Sequence, residues 1–193
     1  MMNTENEVRV WDVFVRFFHW ALVLSFTLAY LSSEDEWLAV HTFAGYTVLL
    51  LISLRLIWGL IGTRHARFSD FVKRPAEIKQ YLKEVFLLRP KRYLGHNPAG
   101  GAMIVLMLIS LLVTTLSGLA TYAVEEGAGP LSGWIAHEAA GWKVVEEIHE
   151  FFANFTLLLA LIHVAGVLLE SLLHRENLVR AMFTGKKSLH SDQ

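Results

Sequence analysis

Cysteine is absent from the 193 residues, which excludes disulfides, thiolate zinc sites, iron–sulfur clusters and the thioether attachment of a c-type haem. Charge is scarce too, at 18% of residues against 54% hydrophobic, where an ordinary soluble domain carries about 25% charged residues. With a mean hydropathy of +0.42, this is the composition of a membrane protein. Neither charge sign dominates: 17 Lys and Arg oppose 18 Asp and Glu, so the balance implies neither nucleic acid nor an acidic polymer as partner. The segment Met1–Asp12 lacks the short apolar core and small-residue cleavage site of a signal peptide, and the N-terminus is expected to be retained. No internal repeat, low-complexity tract or linker interrupts the chain, so one domain is expected over residues 1–193. Nine histidines are left as the only strong soft-metal ligands.

Uncharged stretches run Phe17–Ser33, Trp37–Leu54, Tyr93–Val124 and Phe151–Leu169. A bilayer core takes about 20 helical residues, so each stretch crosses once a flanking turn is added. Gly95, Pro98, Gly100 and Gly101 punctuate the start of the long third stretch and place its helix start nearby. The expected spans are 13–33, 37–61, 99–124 and 146–173. Between the second and third, residues 64–92 hold nine basic residues against three acids. The two opposite connections, Ser32–Glu36 and Glu125–Glu147, hold only Lys143 against eight acids. This asymmetry predicts an all-α integral membrane four-helix bundle with both termini cytoplasmic. Trp11, Trp37, Trp58, Trp134 and Trp142 fall near span ends, as an aromatic belt requires. Within the basic loop Ile78, Tyr81, Leu82, Val85 and Phe86 recur at helical spacing after Pro75, which predicts an interfacial helix over 75–88 in contact with membrane lipid.

Ionisable residues inside spans are expensive, and where they occur they commonly serve as a cofactor ligand, a proton relay or a polar helix contact. Four histidines qualify. His149 and His163 are 14 residues apart, which returns to nearly the same helix face about 21 Å further along the axis. Span four starts from outside, so His149 matches the depth of His41 at the outer end of span two. His163 matches His19 near the inner end of span one. Two opposed imidazoles at one depth suit a six-coordinate haem held without thioether bonds. Gly45, Ala153 and Gly166 follow His41, His149 and His163 by about one turn and leave room beside each ligand. Arg55, 14 residues after His41, and Arg16, one turn before His19, are placed to pair an inner propionate. Both arginines equally suit snorkelling to headgroups. His65, His96, His174 and His190 read as solvated loop or tail residues. His137, with Trp134 and Glu138, reads as part of a short outer helix. Met103, Met107, Phe151, Phe152 and Phe155 read as lipid-facing or packing residues.

The fragments Arg16-Phe17-Phe18-His19-Trp20, His41-Thr42-Phe43-Ala44-Gly45, Gly95-His96-Asn97-Pro98-Ala99-Gly100-Gly101 and His149-Glu150-Phe151-Phe152-Ala153-Asn154 through Ile162-His163 resemble the bacterial cytochrome b561 and nickel–iron-hydrogenase b-type cytochrome superfamily. The likeness covers residues 8–185, and its most specific part is the span-four pattern of His-Glu, Ala-Asn and His. It implies a four-helix membrane cytochrome with two non-covalent b haems, ligated by His19, His41, His149 and His163. Electrons would pass between the quinone pool and a periplasmic redox partner, such as a c-type cytochrome or a hydrogenase-like enzyme.

Two subgroups pull differently: the Gly-His-Asn-Pro-x-x-Gly segment resembles the hydrogenase type, while the short length fits the compact type, which includes superoxide:quinone oxidoreductases. An electron-transfer subunit is favoured over a self-contained enzyme. A reading of another class stays open, a haem-free anchor or a proton-relay transporter using the same histidines. Four spans leave little room for the inverted repeats of a transporter.

Overall fold

The structure, a computed structural model, describes residues 7–135 and 141–189. His137, Glu138 and His190 lie outside the described residues. The elements run β1 (Glu7–Arg9), α1 (Val13–Leu31), α2 (Leu38–Ile61), α3 (Phe68–Phe71), α4 (Pro75–Phe86), α5 (Pro98–Glu125), α6 (Trp142–Leu173), α7 (Leu178–Thr184) and β2 (Lys186–Ser188). α1, α2, α5 and α6 are long and apolar enough to cross a membrane, so the expectation of an all-α membrane protein with four spans holds. Large apolar side chains such as Phe17, Leu24, Phe43, Leu60, Leu161 and Leu172 stay exposed along them, which is tolerable only where the surrounding medium is lipid.

Local chemistry sets the helix starts. Asp12 precedes α1 and its Oδ1 accepts from the Val15 amide at 2.8 Å, an N-cap for one of the first unpaired amides. Asn97 does the same for α5: its Oδ1 accepts from the Gly100 amide at 2.6 Å, with Pro98 as the first helical residue. The Asn-Pro-x-Gly sequence is thus a helix-start signal. Pro75 opens α4, and Glu77 reaches back to the Arg74 amide at 3.3 Å. At the other end of α1, Ser32 bonds the Leu28 carbonyl at 2.7 Å. A single 3₁₀ turn, Asp35–Trp37, then leads into α2.

The contacts divide the chain into two compact units, and each long helix contributes a segment to both. The first comprises the chain up to Trp20, Leu54–Leu106 and the part from Ala160 on. β1 pairs antiparallel with β2, Val8 opposite Lys187, and the amides of Val10 and Trp11 reach the Gly185 carbonyl. Its core gathers Val10, Trp11, Val15, Ala66 and Ala181, with Trp58 and Met182 against them. Asp12 also accepts from Trp58 Nε1 at 3.0 Å and from the Thr63 hydroxyl at 2.6 Å. Gly101 admits the Phe71 carbonyl, which a Cβ there would strike. Glu176 holds Arg92 at 3.0 Å and the buried Lys187 at 3.6 Å, while Tyr81 donates to Glu170.

The second unit is Ala21–Ser53 and Met107–Leu159. Ala44, Val48, Ile52, Leu111 and Leu159 are buried there beside a row of hydroxyls. Ser110 and Thr156 join α5 to α6 at 2.7 Å, and Thr114, Thr115 and Ser117 return their hydroxyls to carbonyls of their own helix. Small hydroxylic residues let helices approach in an apolar medium while leaving no polar group bare. Glu34, Asp35, Glu36, Glu125, Glu126 and Glu147 are exposed in this unit, and Lys143 is its only Lys or Arg.

Candidate functional site

The second unit brings His41 of α2 and His149 of α6 opposite each other, with ring centroids 6.0 Å apart and planes at 79°, edge to face. His41 Nδ1 lies 2.9 Å from the Ala29 carbonyl and His149 Nδ1 lies 2.8 Å from the Thr114 carbonyl. A carbonyl only accepts, so both Nδ1 atoms carry the proton and both Nε2 atoms keep a free lone pair. This is the arrangement that orients a metal-ligating imidazole and raises its basicity. Gly118 permits it, since a Cβ there would sit 2.8 Å from His149 Cε1. Gly45, by contrast, has nothing within 4 Å of where its Cβ would be, so space is open one turn beyond His41.

The first unit brings together His19 of α1 and His163 of α6, with centroids 6.4 Å apart and planes at 54°. Trp20 stands edge-on to His19 at 4.8 Å. His19 Nδ1 is buried and has no hydrogen-bond partner. Gly166, one turn from His163, again faces open space.

Both spacings fit an iron between two imidazoles: metal–nitrogen bonds of about 2.0–2.1 Å, with roughly 1 Å from each nitrogen to its ring centre, sum to ~6 Å. Among the described residues no group of three or more His, Asp or Glu could hold a metal. Each pair supplies only two donors, which is what a macrocycle with four nitrogens of its own requires. The residues present therefore fit haem b.

The arginines are placed differently from a simple headgroup anchor. Arg55 is 3% exposed. It donates to the Ala66 carbonyl at 3.0 Å, with its guanidinium over the Phe68 and Phe71 rings. Arg16 donates through Nη1 to the Phe183 carbonyl at 2.6 Å, while its buried Nε has no acceptor. Leaving a buried donor unpaired costs about 1–3 kcal/mol.

Three histidines expected in solvent are not there. His65 pairs with Asp70 at 3.0 Å, and His174 pairs with Glu170 at 3.3 Å. His96 packs its ring 4.5 Å from that of Trp11 and 4.8 Å from that of Phe71, with Nδ1 buried and unpartnered. Burial first, then the charges of Arg55 and Lys187, lower its pKa to about 3 and keep it neutral. Sequence reasoning missed His96 because a basic loop defaults to solvent; its place just before the Asn97 cap was the available signal. It also missed Gly118, which carries no local signal. Phe151, expected to face lipid, is exposed and stacks with Phe155.

Comparison with known proteins gives the family of the chain. The chain is 26% identical to a probable Ni/Fe-hydrogenase B-type cytochrome subunit of Rhodobacter capsulatus, over all of this chain and 86% of that protein. It is 27% identical to the like-named protein of Azotobacter chroococcum mcd 1, over all of this chain and 93% of the relative. To that of Rhizobium leguminosarum bv. viciae it is 28% identical, over 77% of this chain and 67% of the relative. No solved structure matches the chain. The family model described as prokaryotic cytochrome b561 matches residues 10–185. A match that begins at Val10, before α1, and ends at Gly185, after α7, covers all seven helices rather than one motif, and the chain belongs to the prokaryotic cytochrome b561 family.

Proposed function

We propose that this b-type membrane cytochrome holds two haems, one between His41 and His149 and one between His19 and His163, and moves electrons between membrane quinone and a redox partner on the periplasmic side. The facing imidazole pairs, each at the spacing of two axial ligands, carry this reading. When bound, haem b supplies reversible one-electron iron chemistry. The chain's own part is to present Nε2 of each histidine. In the second unit it also fixes the rings through the Ala29 and Thr114 carbonyls. Arg16 and Arg55, both in the unit of His19 and His163, supply positive charge beside that pair.

The acidic second unit holds the His41/His149 pair and the first unit holds the basic 64–92 segment with the other pair. By the positive-inside argument the acidic residues face the periplasm, where they steer a partner with a basic docking patch. The relatives' names make the membrane subunit of a nickel–iron hydrogenase the leading form of that partnership. Quinone exchange is assigned to the cytoplasmic side.

The test is a pyridine haemochrome assay followed by redox assays on the purified chain. About two haems per chain are expected from two bis-imidazole sites. A quinol analogue should reduce them, and basic c-type cytochromes should reoxidise them at a rate that falls as salt rises. Absence of haem would return the histidines to the relay or anchor reading. Reduction by superoxide with no protein partner would favour the self-contained oxidoreductase.

A further inference from the structure

Near His19 and His163 the first unit leaves three further buried nitrogens without a hydrogen-bond partner, Nε of Arg16, Nε1 of Trp20 and Nδ1 of His96, and Nε of Arg92 in the same unit also has none. They are linked by shared neighbours. Arg16 donates to the Phe183 carbonyl, and the Phe183 ring stacks on Trp20 at 4.3 Å and 18°. Gly185, at a φ of +79°, is the next link: a Cβ there would lie 2.5 Å from the Trp11 carbonyl oxygen and 3.2 Å from Arg16 Nε. The Trp11 ring in turn packs on His96.

The second unit contrasts with this. Its two histidines already direct Nδ1 to backbone carbonyls, and Thr121 Oγ1 is its only buried side-chain atom without a partner among the described residues. Native proteins rarely leave buried donors bare, so a cluster of them points to an acceptor that the chain does not itself provide. An indole N–H and a guanidinium N–H can only donate. Among the described residues Arg16 is matched by a neutral carbonyl and by no carboxylate. One uncharged acceptor would satisfy a single N–H, whereas a half-buried cation whose Nε is enclosed, with two neighbouring unpartnered nitrogens, suits an anion with several lone pairs.

We infer that Arg16, Trp20 and His96 form a carboxylate-binding edge that holds the propionates of the haem between His19 and His163, and that the His41/His149 site has no counterpart built from side chains. Trp20 and His96 are positioning residues in this scheme: they touch the macrocycle's carboxylates and not its iron. The inference rests on the haem reading above. Its consequence is that the two haems differ in potential through these donors, because compensating a propionate's charge favours the reduced iron.

The test uses the full haem-loaded chain in detergent. Redox titration should resolve two haems, assigned by which one His163→Ala and His41→Ala each remove. Trp20→Phe and His96→Phe should lower the midpoint of the haem lost in His163→Ala and leave the other unmoved. His96→Gln, which restores a side-chain N–H, should recover part of the shift. Should the substituted chains fail to load haem, redox-difference infrared spectra of the unsubstituted protein with carbon-13-labelled propionates provide a second readout. Carboxylate bands of one haem should move on exchange of N–H for N–D. Unchanged midpoints at full haem content, equal shifts in both haems, or labelled bands insensitive to exchange would each overturn the propionate assignment while leaving the ligand pairs standing. Absence of haem from the unsubstituted chain would sink both readings.

Discussion

His41 and His149 differ from His19 in one respect with measurable consequences: the first two have Nδ1 held by a backbone carbonyl, whereas Nδ1 of His19 is buried without a partner. Losing either member of a pair strips one axial bond from a dry site, and outer-shell order alone is worth about 10- to 100-fold in affinity. His41→Ala or His149→Ala should therefore halve the haem content by removing one spectral species. His19→Ala or His163→Ala should remove the other, as read by haemochrome assay and low-temperature absorption. Loss of the same species from His41→Ala and His163→Ala would break the pairing. A second residue-scale prediction separates fold from cofactor. Gly45 meets nothing within 4 Å, so Gly45→Leu should leave the helical content of the haem-free chain unchanged while blocking the haem beside His41. Equal haem loading in Gly45→Leu and the unsubstituted chain would show that this space is not the macrocycle's.

The helices are specified by short-range signals, and their ends make the clearest predictions. Asp12 caps α1 and also accepts from Thr63 and Trp58. Burial pushes its pKa up, but the hydrogen bonds from Thr63, the Val15 amide, Trp58 and the Phe14 amide outweigh this and hold it below the usual 3.8. A depressed folded pKa means a contribution fully present above that usual value and lost as pH falls through the lowered one. Asp12→Ala should cost about 1 kcal/mol at neutral pH from the cap alone. The gap in thermal midpoint to the unsubstituted chain should close progressively below about pH 4. A gap independent of pH would show that the carboxylate's charge is irrelevant. The start of α5 was legible in advance through Gly95, Pro98, Gly100 and Gly101, whereas the caps of Asp12 and Asn97 emerged only with the structure. The pairing of β1 with β2 was not legible either, since three-residue strands carry no alternation long enough to reveal a register.

At the scale of the whole molecule, the charge asymmetry predicts which surfaces face the cytoplasm, and the lack of cysteine makes this easy to test. Glu34 and Lys83 are both exposed. In intact spheroplasts, Glu34→Cys should react with an impermeant maleimide, and Lys83→Cys should react only after the membrane is opened. The opposite pattern would invert the orientation and move the proposed partner site to the cytoplasm.

Sequence by itself determined the membrane class, the four spans and the four histidines at two depths, because helical period, hydropathy and loop charge are properties of neighbouring residues, and its motif fragments carried the family resemblance. Tertiary structure alone decided which backbone groups hold two of those histidines. The carbonyl that orients His149 lies 35 residues away, and the one that binds Arg16 lies 167 residues away. His96 looked like a loop residue until Trp11 and Phe71, from distant parts of the chain, enclosed it. No periodicity links such partners; they meet only when the folded chain brings buried donors together, and whether a donor then finds an acceptor is a property of the assembled site.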